Sequence, residues 1–378
     1  MIKTLQGLLA PHEPTVLLGA MAAESRLHLR TDRRDAFRRL LPWSVFNELL
    51  TVDHLLSGDL IALRNGHRVP LEMVTQRVQG KGRLELRPGA LQELCATGLS
   101  LRIRNIEKLV PAIAALAATL ERQFRGRMNV NAYASFNKDS ALGVHRDDHD
   151  VVALHIHGRK RWFCHGRQKP GPATDEAAWD AVLEPGDILY VPRGDYHRAE
   201  VSGAHSVHLT FSLTYPRGSD VIRWMAQESA AGAAFRTDIK ASVGGEGLLA
   251  QQSALRGALH RLVEELDLTT FLAANDLDRP WRRPVNLGVP DIADPAVVIR
   301  LMMRRRVPLP LDGPVELKAG EARISLSATE RAALAVLFDR DTLTIGELCG
   351  ELSGIPGPEV RDAVAGLARQ GLVLLTGE

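Results

Sequence analysis

Gly143-Val144-His145-Arg146-Asp147-Asp148-His149-Asp150 is the stretch on which the reading of this 378-residue chain turns. It sets a His-x-Asp pair at the head of a region of short runs rich in branched residues. These are Val151-Val152-Ala153-Leu154-His155-Ile156-His157, Asp187-Ile188-Leu189-Tyr190-Val191 and Ser206-Val207-His208-Leu209-Thr210-Phe211. Their length and composition predict β-strands. Gly158-Arg159-Lys160, Pro185-Gly186-Asp187 and Pro192-Arg193-Gly194-Asp195 separate them as turn signals. Several short strands with turns between them predict a sandwich or a barrel, of which the jelly roll is one form.

Residues two apart on a strand point to the same face, so His145 and Asp147 are expected to reach one metal ion together. His197 follows 52 residues after His145, behind the turn Glu184-Pro185-Gly186-Asp187, a strand and the stop at Pro192. Two imidazoles and one carboxylate leave coordination positions open, as non-heme iron(II) oxygenases require. His-x-Asp alone is weak, because a surface histidine beside solvated acids is common. The distal histidine, reached through its turn and strand, strengthens it.

The block Asn131 to Trp162 resembles the JmjC ribosomal oxygenases, a branch of the cupin-like hydroxylases. There a metal-binding His-x-Asp is followed by a strand, a glycine turn and a basic residue two positions before a tryptophan. Here that segment reads Gly158-Arg159-Lys160-Arg161-Trp162. The resemblance implies that Lys160 binds the distal carboxylate of 2-oxoglutarate, with Asn131 and Tyr133 lining the cosubstrate pocket from the preceding strand. A charge-assisted bond from a lysine suits a dicarboxylate. It further implies an α+β chain: a double-stranded β-helix (jelly-roll/cupin, JmjC) barrel with an N-terminal α/β elaboration over 1–217, a helical dimerisation region over 218–285, and a winged-helix domain over 286–378. The implied cofactors are Fe(II), 2-oxoglutarate as cosubstrate and O2. The implied reaction is hydroxylation of a protein side chain, an Arg or His of a ribosomal protein, with succinate and CO2 as coproducts and a homodimer as the assembly. Where the family has an early Trp-Glu-Lys-type segment, this chain has Gly19-Ala20-Met21-Ala22-Ala23-Glu24-Ser25. Three other readings stay open: a cupin using another metal without 2-oxoglutarate, a tailoring hydroxylase of a biosynthetic peptide or small molecule, and a non-catalytic barrel that binds a partner.

Other residues admit plainer readings. His149, His155, His157, His165, His205 and His208 crowd the same region and are expected to be packed or hydrogen-bonded wall residues. Asp148 and Asp150 would either attract a basic protein loop or simply face solvent. In the last third, Ser327-Ala328-Thr329-Glu330 predicts a capping box opening a helix through Phe338. Thr344 to Leu352 and Gly357 to Gln370 follow as helices, and Gly371 to Leu375 closes as a strand. Pro111 to Leu120, Ala250 to Leu266 and Leu268 to Ala273 also read as helical. Asp278-Arg279-Pro280-Trp281-Arg282-Arg283-Pro284 reads as a linker.

Composition narrows the field further. With 45% apolar residues the chain can bury a large core. Leu109 to Leu120 is too short to span a bilayer, and Met1-Ile2-Lys3-Thr4 starts no secretory signal, so no membrane role is expected. Cys95, Cys164 and Cys349 are far apart without a Cys-x-x-Cys, which fits a reducing cytoplasm. Residues 286–378 carry ten Arg+Lys against thirteen Asp+Glu, a net of −3, and the predicted helix from Gly357 offers only Arg361 and Arg369. DNA is therefore not an expected partner, even with the cluster Arg304-Arg305-Arg306.

Overall fold

The computed structural model of the chain describes all residues except 1, 3, 53–54, 57, 79–83, 137–140, 169–176, 231, 241–243, 278–282, 289, 308, 310–314, 320–321 and 378. It divides into two compact units, Met1–Tyr215 and Pro216–Glu378.

The first unit contains, in chain order, α1 (Leu5–Leu9), α2 (Pro14–Ala22), β1 (Leu27–Arg30), α3 (Arg34–Leu40), α4 (Trp43–Leu49), β2 (Leu60–Arg64), β3 (His67–Val69), β4 (Thr75–Arg77), β5 (Leu84–Leu86), α5 (Pro88–Ala96), β6 (Ser100–Ile103), α6 (Pro111–Phe124), β7 (Arg127–Phe136), β8 (Asp150–Gly166), β9 (Trp179–Leu183), β10 (Asp187–Val191) and β11 (Tyr196–Thr214). Eight strands form one sheet in the order β1-β10-β8-β11-β7-β6-β2-β3, with β9 paired to β8. β11 pairs antiparallel with both β7 and β8, so the three long strands lie side by side.

Alternation along these strands separates two environments. Val130, Ala132 and Ala134 of β7 and Leu209, Phe211 and Leu213 of β11 join the main apolar core, which also takes in helix residues such as Phe37, Phe46, Leu116 and Leu120. Tyr133 and Ser135 of β7 and His208 and Thr210 of β11 occupy the other face. The predicted helix at Pro111 runs to Phe124, with proline at its first turn, where its missing N–H costs nothing.

Gly158-Arg159-Lys160 is not a turn. The strand runs straight through it for 17 residues, from Asp150 to Gly166. Gly158 sits at φ +68°, and a Cβ there would lie 1.9 Å from the carbonyl oxygen of His205. The pairing of β8 with β11 slips on either side of this point, between Val201 and Ser206 and between Val207 and His208. The glycine thus serves a bulge where two backbones approach closely, rather than a chain reversal. Gly158→Ala is expected to destabilise this unit by roughly 3 kcal/mol or more, through a strained left-handed residue plus a backbone clash. Denaturant unfolding of the two proteins checks this.

The second unit holds α7 (Gly218–Ser229), α8 (Ala233–Arg236), α9 (Gly244–Glu264), α10 (Leu268–Leu277), β12 (Val298–Leu301), β13 (Val315–Ala319), β14 (Ala322–Leu326), α11 (Ala328–Arg340), β15 (Thr342–Thr344), α12 (Ile345–Glu351), α13 (Gly357–Arg369) and β16 (Val373–Thr376). The Ser327/Glu330 capping box opens α11, and a second, Thr344/Glu347, opens α12. β12 lies between β15 and β16, and helices α11, α12 and α13 pack their apolar residues with these strands in one core. Of the predicted linker, Asp278 to Arg282 lie outside the described residues, while the Arg283 side chain donates to the carbonyl of Gln370. In the basic cluster, Arg305 is buried in an ion pair with Asp276 at 3.7 Å and Arg306 pairs with Asp339 at 3.0 Å. Both are committed within the unit. Among the described residues no helix is long and apolar enough to cross a membrane.

Candidate metal centre

His145 and Asp147 do not lie on a strand, as their spacing suggested. They sit in the loop that leads into β8, and His145 is drawn into a single two-way bridge with His197 at the start of β11. The His145 N–H donates to His197 O at 3.0 Å and the His197 N–H donates to His145 O at 2.8 Å. The neighbouring turn adds further ties. Gly194 N–H donates to Asp147 O at 3.0 Å, Arg193 N–H donates to Asp150 Oδ1 at 2.8 Å, and Arg193 Nε donates to Asp148 Oδ1 at 2.9 Å. Asp148 and Asp150 therefore fasten this loop to the turn at Arg193.

This lacing fixes the three side chains. The Nδ1 of His145 lies 2.9 Å from Gly143 O, and the Nδ1 of His197 lies 3.0 Å from Asp195 O. A carbonyl can only accept, so each Nδ1 carries a proton, and Nε2 is the nitrogen each ring has left to offer a metal. Both Nε2 atoms look toward Asp147: its Oδ2 lies 3.4 Å from that of His197 and 4.0 Å from that of His145. One ligand atom from each of the three lies within 4.8 Å of the others, and this is the one such group of three found among the described residues. Burial pushes the His197 imidazole down to about 4, with the His145 ring adding to the effect, so it stays neutral and available as a donor. The His197 side chain is 4% exposed, against 32% for His145 and 28% for Asp147. The group therefore has a buried floor and an open rim.

Behind the floor lies a cavity lined by this trio with Tyr133, Lys160, Trp162, His208 and Thr210. Lys160 is 1% exposed and its Nζ donates to Ser135 Oγ at 2.9 Å. His208 stacks on Tyr133 at 5.0 Å, and Trp162 stacks on His197 at 5.9 Å and meets His208 edge-on at 5.3 Å. Complete burial holds the His208 ring far below its ordinary value, with Lys160 adding to the effect, so it too is neutral. Of the sequence candidates, His145, Asp147, His197, Lys160 and Tyr133 meet here. Asn131 does not line this cavity. It lies two residues back along the same strand face, and its Oδ1 accepts from Asn105 N–H at 3.4 Å. Sequence reasoning missed Ser135, Thr210 and the placement of His208. A larger apolar cavity of about 1440 Å³ is lined among others by Trp43, Phe46, Leu91 and Phe136, and His145, Asp147 and His197 lie outside it.

His155 and His157 behave as wall residues. His157 Nε2 lies 2.9 Å from Leu41 O and its ring stacks on Trp43. His155 is fully buried with Nε2 3.1 Å from Gly158 O, and burial, then Lys160, lowers it to about 4. Between that value and the 6.5 of an unfolded histidine, the unfolded chain binds the extra proton. His155 therefore withdraws stability as pH falls through this window, by roughly 3 kcal/mol in full. Unfolding free energies at pH 7 and pH 4.5 should show this loss, and His155→Gln should reduce it.

Comparison with known proteins gives a consistent picture. The family profile described as JmjC domain matches residues 107–221. Ribosomal oxygenase 1 of Rattus norvegicus is 33% identical over 146 residues, covering 35% of this chain and 24% of that protein. The Drosophila willistoni protein named bifunctional lysine-specific demethylase and histidyl-hydroxylase NO66 is 24% identical over 228 residues, covering 56% of this chain and 29% of that one. The chain thus spans less than a third of the length of these two curated relatives. The crystal structure of Escherichia coli ribosomal oxygenase YcfD aligns with a TM-score of 0.59 at 18% identity, over 97% of this chain and 99% of that one. A second YcfD structure, in complex with cobalt and 2-oxoglutarate, aligns with a TM-score of 0.58 over 98% and 99%. The fold is of the JmjC/cupin type, mixing helix and sheet.

Proposed function

Because residues 107–221 of this chain match the JmjC domain family, we propose that it is an iron(II)- and 2-oxoglutarate-dependent oxygenase that hydroxylates a carbon of a protein side chain. The observation that carries this reading is one cavity holding both parts of the required machinery: two imidazoles and a carboxylate at its rim, and a buried lysine deeper in. The donor set fits the metal. Two imidazole Nε2 atoms and one carboxylate are what iron(II) takes while keeping sites open, and a dication would suit a carboxylate held between two imidazoles. The buried ammonium fits the cosubstrate, since a lysine and a carboxylate form a charge-assisted hydrogen bond, which is stronger than a neutral one.

In this account His145, Asp147 and His197 hold iron(II), and Lys160, with Ser135 holding its ammonium, receives the distal carboxylate of 2-oxoglutarate. Tyr133 and Trp162 wall the space between. When bound, iron and cosubstrate supply dioxygen activation, with succinate and CO2 as coproducts. The protein fixes ligand number, keeps both histidines in one tautomer through Gly143 O and Asp195 O, and excludes water around His197 and His208. The more exposed side of His145 and Asp147 is where substrate would enter.

The names of the relatives, ribosomal oxygenase and histidyl-hydroxylase, support an Arg or His of a ribosomal protein as substrate. In the second unit, α11 to α13 with the β15-β12-β16 sheet support a winged-helix domain over 286–378. The exposed Leu249, Leu259, Val263 and Leu268 of α9 and α10 support a dimerisation region over 218–285, leaving 1–217 as the catalytic part. The test is 2-oxoglutarate consumption by the purified chain with iron(II), followed by mass spectrometry of ribosomal proteins. The expected result is iron-dependent turnover with one oxygen gained on a protein side chain. Oxygen gained only by a small molecule would move the reading to a tailoring hydroxylase. No turnover by an iron-loaded protein would overturn it.

A further inference from the structure

We propose that Trp162 is itself a hydroxylation site, oxidised by the chain's own centre when cosubstrate is turned over without substrate. The inference rests on the oxygenase reading above. It is carried by where this indole sits. Trp162 lines the same cavity as His145, Asp147 and His197, and its ring lies nearly parallel to the His197 imidazole, 23° between planes and 5.9 Å between centroids. At 3% exposure it is shielded from bulk solvent. It also belongs to an apolar cluster with Val151, Cys164, Leu183 and Leu189, which packs it in place. Its Nε1 is buried without a hydrogen-bond partner among the described residues.

An indole is among the most readily oxidised side chains, and here it flanks an imidazole that binds the metal. Tyr133 also lines the cavity but meets His208 rather than the trio. In the presence of substrate, the substrate's C–H bond takes the oxygen. In its absence, dioxygen supplies one oxygen atom to an aromatic C–H of Trp162, giving C–OH. The other enters the succinate formed as 2-oxoglutarate loses CO2 and supplies the balancing electron pair. The product is a hydroxytryptophan fixed beside His197, where it can reach the metal-binding rim and alter later turnover.

The test incubates the full chain with iron(II), 2-oxoglutarate and isotopically labelled dioxygen, without substrate, then digests it with trypsin. Cleavage after Arg161 releases Trp162 to Arg167, and fragment ions separate oxygen on Trp162 from oxygen on Cys164. The expected result is one labelled oxygen on Trp162 that increases with the cosubstrate consumed. The label should be lost without 2-oxoglutarate, without dioxygen, and in Asp147→Ala. Cosubstrate consumption with no label on Trp162, or equal label without 2-oxoglutarate, overturns the proposal and leaves the oxygenase reading intact. No consumption at all overturns the oxygenase reading, and this inference with it.

Discussion

Asp147→Ala is expected to abolish 2-oxoglutarate turnover and weaken iron(II) binding by more than the roughly 10- to 100-fold that losing an outer hydrogen-bond partner of a metal ligand costs. The carboxylate lies 3.4 Å and 4.0 Å from the two Nε2 atoms, and removing it leaves two neutral imidazoles with no charge to balance a dication. The fold should survive. The Asp147 side chain is partly exposed, and its backbone carbonyl still accepts from Gly194. Iron titration, turnover and thermal unfolding of the same variant separate these effects. Unchanged iron affinity would remove Asp147 from the centre.

The second large effect belongs to Lys160. Lys160→Met is expected to raise the KM for 2-oxoglutarate by roughly 10- to 100-fold, the equivalent of one charge-assisted hydrogen bond of about 1.5–3 kcal/mol. Iron affinity should stay near that of the parent, because Lys160 is not among the three clustered donors. The split between KM and metal affinity is the diagnostic. A variant that loses both equally has suffered a general collapse of the cavity, whereas one that changes neither places the distal carboxylate elsewhere. Methionine keeps the length and apolar stem of lysine, which limits the packing cost at a position with 1% exposure.

The same residues show how much was legible before the fold was known. His145, Asp147 and His197 were readable because they lie beside turn signals that any strand-rich region must display. Their local conformation was not readable: the His-x-Asp pair owes its shared direction to backbone bonds with Gly194 and His197, more than forty residues away, and not to strand alternation. Lys160 and Trp162 were legible as a pair because they lie two positions apart on an unbroken strand. His208 was not. It lies eleven positions after His197, an odd separation, so strict alternation would place the two on opposite faces. The register shifts between Val201 and His208 bring both to one cavity. The same irregularity lets Val151 and Ala153 share a core with Trp162 and Cys164. A bulge depends on which backbone approaches Gly158, and that is a property of the whole sheet. Ser135 was invisible for a related reason: its value lies in the hydrogen bond it accepts from Lys160, which lies on β8 across the intervening β11, and a lone serine on a strand announces nothing.

The helical part was more transparent because its signals are local. The Ser327 and Thr344 caps satisfy N–H groups three residues away, so both helix starts could be placed from sequence. The roles of Asp148 and Asp150 could not, since their partner Arg193 comes from a distant turn.

The most direct test of the central claim is a crystal structure of the chain loaded anaerobically with iron(II), with the metal located by its anomalous signal. The account predicts a single ion within bonding distance of His145 Nε2, His197 Nε2 and an Asp147 carboxylate oxygen. An ion held by other residues, or these three side chains turned apart in protein that binds iron, would contradict it.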